Sequence, residues 1–378
     1  MPKLKILEIC PYSSGGCGVW ARVKQESLEL VKRGYEVRVF SSYFEKGSDR
    51  ILPENESLNG ISILRFPAKK LGGESFMNWD FEKEALDYSP DIIITHNYRH
   101  THTHLSIKIS KKLRQRGKKV KLFLVTHAPF VEGNITRSKL ATIIVKFYDR
   151  FIGPMSLKKF DKILAISHWE IPYLIKAGAP KENIVYIPNG IPMEFFNLKQ
   201  QTREENKILF FSRISPKKKV ETLIAAVPFI KDKKIKIEIV GPREEEYFNK
   251  IKSMINELHI SDRILISEPI YDIKEKIKKI DSARVFVLPS RVEGMPQALI
   301  EAMSRGKIVI GSSSIAIRDL INDNNGYLFE FDNPRSLAEK IDSALEDSIK
   351  NNELKKQAKL SVQQFAWDRV IEKIESLF

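Results

Sequence analysis

Two glutamates eight positions apart, Glu293 and Glu301, bracket a Gly-Met-Pro turn in the run EGMPQALIE. A buried-looking strand, VFVL, ends in Pro289-Ser290 just before it, and Pro296 is well placed as the first helical residue, where its missing N–H costs nothing. Backbone N–H groups around Gly294 to Gln297, those of Gly294, Met295 and Gln297, would then point at whatever lies in front, which makes an anion site. Glu301 would lie about 7.5 Å further along the helix axis and meet a group beside the helix. A diphosphate flanked by hydroxyls, the shape of a nucleotide sugar, would use all three elements. The plainer reading is that Glu293 complements the helix dipole and Glu301 is a solvated helix residue.

A second pair stands in FFSRISPKKKVETLI, where Arg213 closes a strand and Lys218 follows five residues later. A planar guanidinium fork and a mobile ammonium suit a diphosphate, and they would stabilise one as it departs. Surface charge is the competing account in a chain with 63 Lys and Arg. The turn EICPYSSGGCGVW offers Gly15, Gly16 and Gly18 for close approach to a ligand, but its spacing is neither a dinucleotide fingerprint nor a P-loop. His127, in FLVTHAPF, is placed at the end of an apolar strand, where it could bond a sugar hydroxyl or move a proton; a structural histidine is the alternative. The cluster His96, His100, His102 and His104 is the one metal-like group, with His100 and His104 expected on one helix face. It has no cysteine nearby, so contacts to an acceptor or to solvent fit it as well. No Asp-x-Asp triplet is present to hold a metal-bound diphosphate.

These residues need strands and helices to carry them. Apolar runs at 4–10, 35–42, 61–66, 91–96, 120–127, 162–167 and 184–188 alternate with helix-like segments in the first half. The rhythm restarts at 207–213, 235–241, 263–269, 283–290, 307–312 and 326–331. Strands that are apolar throughout, separated by helices, predict parallel sheets covered on both faces. Pro, Gly and a polar run near 190–205 break the pattern, so two doubly wound domains are expected, 1–192 and 193–361, with a cleft between them as the binding place. The final segment reads as an amphipathic helix, and 362–378 is expected to cross back to the first domain.

The chain has 378 residues, 42% hydrophobic and 29% charged, and a net charge of +15. Sixteen Lys and Arg against Glu132, Asp149 and Asp161 give residues 99–162 an excess of +13, so nearly all the imbalance sits there. Such a stretch attracts an anionic membrane or another polyanion, or is a solvated Lys-rich surface. Two cysteines, Cys10 and Cys17, argue against a disulfide framework. With no signal-peptide core, the expectation is a cytoplasmic protein, peripheral at the inner face of the membrane if the basic stretch docks there.

Taken together, the Glu293–Glu301 spacing with Pro289-Ser290 before it and Ala302-Met303 after it resembles the E-x7-E motif of retaining glycosyltransferase family 4. The resemblance implies the α/β GT-B fold, two facing Rossmann-like domains, the first for the acceptor and the second for the donor. It places Arg213 and Lys218 at the donor diphosphate, Gly15 and Gly16 in the N-terminal glycine loop, His127 near the donor sugar, Glu301 on the ribose and Glu293 on the transferred sugar. Pro188-Asn189-Gly190 resembles the approach to the linker, and Asn325–Phe329 the family's following strand. Three departures stand out. Ser314–Arg318 lacks the glycine pair expected before Asp319, Pro192 stands where Asp is common, and Gly241-Pro242-Arg243 lacks a second glycine.

The implied reaction is transfer with retention, without metal or other cofactor, from a UDP- or GDP-sugar to a lipid-linked or oligosaccharide hydroxyl. No nucleic acid is expected as a partner. Two rivals stand beside it: a sugar-nucleotide epimerase of the same fold, which needs no acceptor, and a polyanion-binding protein using residues 99–162.

Overall fold

The structure, a computed structural model, describes residues 3–48, 50–70, 74–130, 139–197, 199–200, 202–346 and 348–378. It separates into two compact units. One holds the described chain up to Gly190 together with Trp367–Phe378, and the other holds Ile191–Ala366.

The first unit is built on β1 (Lys5–Ile9), β2 (Glu36–Ser42), β3 (Asn55–Leu58), β4 (Ile61–Phe66), β7 (Ile92–His96), β8 (Lys121–Val125), β9 (Lys162–Ala165) and β10 (Ile184–Tyr186), with a separate hairpin of β5 (Ala68–Lys70) and β6 (Met77–Trp79). Its sheet runs β10-β9-β8-β7-β1-β2-β4-β3, parallel except where β3 meets β4. Strand order therefore reverses between β1 and β7, and that is where an open α/β sheet presents a crevice at the carboxyl ends of its strands. The apolar runs read from the sequence form the parallel strands. The polar edge strand NESL and the short hairpin have no such pattern and were not anticipated.

The second unit has β11 (Lys207–Phe211), β12 (Lys236–Val240), β13 (Ile264–Ser267), β14 (Val285–Leu288), β15 (Ile308–Ser312) and β16 (Tyr327–Phe329). All are parallel, in the order β13-β12-β11-β14-β15-β16. This is the doubly wound arrangement, with its reversal between β11 and β14. Ile208, Leu209 and Phe210 are fully buried, as a strand covered by helices on both faces requires. Each contributes roughly 1.5–3 kcal/mol of hydrophobic stabilisation.

The helix Trp367–Glu375 buries Trp367, Val370, Ile371 and Ile374, the apolar stripe of a 3.6-residue period. It lies in the first unit against the helix Gly18–Lys32, with Arg33 Nη1 2.5 Å from Glu375 Oε2. Gly190 makes this seating possible. A Cβ there would stand 2.2 Å from the Trp367 ring, so only a glycine lets the chain pass.

Candidate active site

In the second unit the loops after β11 and β14 meet at the point where strand order reverses. Several contacts fix them. Gly241, after β12, has φ +147° and lies so close that a Cβ would stand 2.0 Å from Ser212 O. Ile214 N–H donates to Pro242 O at 2.8 Å, and Arg291 N–H donates to Lys217 O at 2.9 Å. The loop bearing Arg213 and Lys218 is thus tied on one side to the β12 loop and on the other to the segment leading to Glu293.

The result is a pocket of about 260 Å³ whose lining includes Arg213, Lys218, Glu293, Met295, Pro296, Gln297 and Glu301. Lys218 Nζ lies 2.5 Å from Glu293 Oε1, and Lys276 Nζ lies 2.5 Å from Glu301 Oε2. Both pairs are partly exposed, which suits groups that must meet a ligand. Each ammonium has three N–H donors, so one can hold its carboxylate and still bond an incoming oxygen. Arg213 is exposed at the rim.

Lys276 was not anticipated. It sits on the helix Ile273–Asp281, and its Nζ also lies 5.7 and 5.2 Å from the ring centres of Phe195 and Phe211. Its local sequence, DIKEKIKKID, is an ordinary amphipathic helix among many lysines, and nothing in it marks this one.

The turn before the helix differs from the expectation. The helix runs Gln297–Ser304 with Pro296 as its N-cap, not as its first residue. Gln297 N–H donates to Met295 O at 2.9 Å, so that amide closes the turn instead of facing outward. A Pro296 ψ of 71° brings the Met295 carbonyl round to receive it. Asp319 is exposed behind the short helix Ile315–Arg318 and does not line this pocket.

In the first unit, the β1 carboxyl end leads into the glycine loop. Gly15 has φ +78° and bridges to Lys46, where a Cβ would stand 2.3 Å from Lys46 O. Gly15 and Gly16 are both exposed. His127 lies two residues past β8, in a left-handed conformation with φ +57°, and Ala128 follows at +50°. Two consecutive non-glycine residues in this region carry strain, which functional sites often hold. The turn is braced by Glu170, whose carboxylate accepts from Thr126 Oγ1 at 2.8 Å and from the Ala128 amide.

The His127 ring does not stand alone. His127 Nε2 is 2.9 Å from His96 Nδ1, and His96 Nε2 is 2.7 Å from Glu8 Oε2. Behind Glu8 lie Arg22 and Glu26, joined by a 2.9 Å ion pair and wholly buried. Burial pushes the Glu8 carboxyl up to about 8, against the pull of Arg22, and Glu26 to about 7. Burial also holds His96 down to about 3 and His127 well below the usual imidazole range, so both rings are neutral at physiological pH. Glu8, Arg22 and Glu26 escaped the sequence reading. The available signal was a single carboxylate in the apolar strand KILEI and an Arg–Glu pair at i, i+4 on the helix that covers it.

The remaining histidines disperse. His100 is the N-cap of the helix Thr101–Gln115, so it does not share a helical face with His104 as expected. His100 Nδ1 bonds Tyr98 O at 3.1 Å, His102 Nε2 bonds His96 O at 2.7 Å, and His104 Nε2 bonds Tyr148 OH at 2.9 Å. Among the described residues no three His, Cys, Asp or Glu groups converge as metal ligands would.

Residues 17–195 match the family described as Glycosyltransferase Family 4, and 194–361 match Glycosyl transferases group 1. An uncharacterized glycosyltransferase of Methanocaldococcus jannaschii is 24% identical over 345 residues, 85% of this chain and 84% of that one. The capsular polysaccharide biosynthesis glycosyltransferase CapH of Staphylococcus aureus is 24% identical over 76% of each chain. Among solved structures, sucrose-phosphate synthase from Thermosynechococcus elongatus aligns with a TM-score of 0.74 at 20% identity, covering 99% of this chain and 98% of that one. Anabaena HepE in complex with UDP and glucose aligns at 0.72 and 17% identity, with 99% and 98% covered.

Proposed function

Since the chain is a glycosyltransferase of the GT-B type, we propose that it moves a hexosyl group, with retention and without a metal, from a UDP- or GDP-sugar to a hydroxyl of a lipid-linked or oligosaccharide acceptor. The observation that carries this reading is the convergence of Arg213, Lys218, Glu293 and Glu301 on one pocket at the strand-order reversal of the second unit. That unit, Ile191–Ala366, takes the donor, and the first takes the acceptor.

In this reading the Glu301 carboxylate, steadied by Lys276, accepts hydrogen bonds from the ribose hydroxyls. Lys218 and Arg213 lie along the diphosphate, and the N-terminal end of the helix Gln297–Ser304 adds its dipole. Glu293, steadied by Lys218, holds a hydroxyl of the sugar. The bond from the anomeric carbon to the diphosphate oxygen breaks with its electron pair going to the diphosphate. The acceptor oxygen bonds the same carbon from the same face, and its hydroxyl proton passes to the departing diphosphate oxygen. Charge develops on the leaving oxygen, and cations already in place there lower the barrier without reorganisation. HepE was solved with UDP and glucose, which favours UDP as the first base to test.

Peripheral contact with an anionic membrane belongs to the same reading. Ile143, Ile144, Phe147, Phe151, Ile152 and Met155 are exposed on consecutive turns, beside exposed Lys146, Arg150, Lys158 and Lys159. Apolar side chains flanked by cations suit the headgroup boundary of an acidic bilayer. No helix among the described residues is long and apolar enough to cross a membrane.

Thermal-shift measurements against a panel of UDP- and GDP-sugars test the donor, since a true ligand raises the midpoint by mass action. Transfer to a lipid-linked or oligosaccharide acceptor, with the anomeric configuration read by NMR, tests the rest. An inverted product would refute retention, and turnover that survives both Lys218→Ala and Glu301→Ala would refute the site. Vesicles containing anionic lipid should pellet the protein at low salt; equal pelleting with neutral vesicles would refute the membrane contact.

A further inference from the structure

The network behind His127 holds two buried oxygens that no ordinary donor satisfies, Glu8 Oε1 and Glu26 Oε1. Glu8 and Glu26 stand beside the same Arg22 guanidinium, and each carboxyl acts electrostatically on the other. Two ionised carboxylates can only accept, so neither can supply the donor that the other's Oε1 lacks unless one of them carries a proton. Charge leads to the same count. Arg22 already pairs with Glu26 through Nε and Oε2, and a second ionised carboxylate beside it would be a buried charge without a partner. One proton shared by Glu8 and Glu26 satisfies both oxygens and leaves the cluster neutral.

We propose that this shared proton sets the direction of every hydrogen bond out to the site: Glu8 Oε2 accepts from His96 Nε2–H, His96 Nδ1 accepts from His127 Nε2–H, and His127 Nδ1 keeps its lone pair for a ligand hydroxyl. The distances of 2.7 and 2.9 Å along the chain are those of made hydrogen bonds. Both rings stay neutral, so each carries one proton, and fixing the first bond fixes the second. The opposite direction, with Glu8 donating to His96, would spend on His96 the one proton the pair holds and leave both Oε1 atoms without a donor. Glu170 braces the turn on either side of His127, through Thr126 Oγ1 and the Ala128 amide. Glu8, Glu26 and His96 are positioning residues. His127 is the group that touches the ligand, and it takes a hydroxyl that donates.

The proposal rests on the reading of His127 as a sugar-facing group, but its direct test needs no sugar. The full chain, labelled with 15N-histidine and assigned through His127→Gln, should show His127 protonated at Nε2 and lone-pair-bearing at Nδ1. Glu8→Gln should keep that tautomer, because an amide oxygen can accept from His96 while its NH2 donates to Glu26. Glu8→Leu leaves His96 Nε2 without an acceptor and should shift the His127 signals. A proton on Nδ1 in the wild type, or an unchanged tautomer in Glu8→Leu, overturns the proposal. In the transfer assay Glu8→Leu should lose about tenfold in kcat, one hydrogen bond's worth, and Glu8→Gln should recover most of it. If no transfer is ever found, the proposed function falls and the tautomer result stands; if transfer proceeds with the wrong tautomer, only the relay falls.

Discussion

Lys218 Nζ stands 2.5 Å from Glu293 Oε1, joining the loop after β11 to the loop after β14 across the reversal of strand order. The pair couples the cation meant for the diphosphate to the carboxylate meant for the sugar. Removing the ammonium should therefore damage both. Lys218→Ala is expected to lower kcat/KM by about 10²–10³-fold, the range for a lost transition-state donor. Stability should change by less than about 1 kcal/mol, because a partly exposed ion pair contributes little. Initial rates and a denaturant titration on the same preparation check the two numbers.

Lys276 and Glu301 form the second pair, also at 2.5 Å. If Lys276 acts by steadying Glu301, the two substitutions cannot be additive. In a double-mutant cycle of Lys276→Ala and Glu301→Ala, donor affinity should show a coupling of about 0.5–3 kcal/mol. Calorimetric titration with a UDP-sugar measures it. Additive losses would mean that Lys276 acts on its own.

Two glycines are fixed by space. Gly241→Ala would drive a Cβ into Ser212 O in a conformation that L-residues rarely adopt, and Gly190→Ala would drive one into the Trp367 ring. Gly241→Ala is expected to destabilise by more than about 2 kcal/mol and to lower donor binding with it. Gly190→Ala should instead alter tryptophan fluorescence as the C-terminal helix shifts. Melting curves and emission spectra separate the two.

Glu8 also predicts a pH dependence. Its folded-state value of about 8 lies above the ordinary 4.5, so the folded protein holds a proton that the unfolded chain has released. Stability tied to that proton is complete below about 4.5 and is lost as pH rises through about 8. The groups facing Glu8 are Arg22, Glu26, His96 and Cys10. Glu8→Gln cannot ionise, so its stability relative to wild type should improve between these limits, on the order of 1 kcal/mol per pH unit. Chemical denaturation at pH 5, 6, 7 and 8, all within the window, reads the difference directly.

Much of the fold was legible because fully buried parallel strands are apolar on both faces. KILFF, KIEIV, VFVL and IVIGS announce themselves with no knowledge of their neighbours. The edge strand NESL did not, since an exposed strand has no reason to be apolar. Arg213, Lys218, Glu293 and Glu301 were legible as candidates for a similar reason. Arg213, Lys218 and Glu293 lie in the loops that follow a strand and Glu301 in the helix just beyond, and the chemistry of such an end can be read from a few adjacent residues.

Local pattern carried the strands, the turns and the residue types at strand ends, because each of these depends on neighbours within a few positions. It could not carry the partners. Lys276 reaches Glu301 only because the helix after β13 folds back over β12 and β11. Glu8 meets His96 only because β1 lies beside β7 in the register Glu8–Ile94, which puts Glu8 and His96 two steps apart on one face. Glu26 then joins them from a helix laid over that face. Side chains distant in sequence interact through space, and hydrogen-bond direction, burial and charge balance take their values only when the sheet has set those distances.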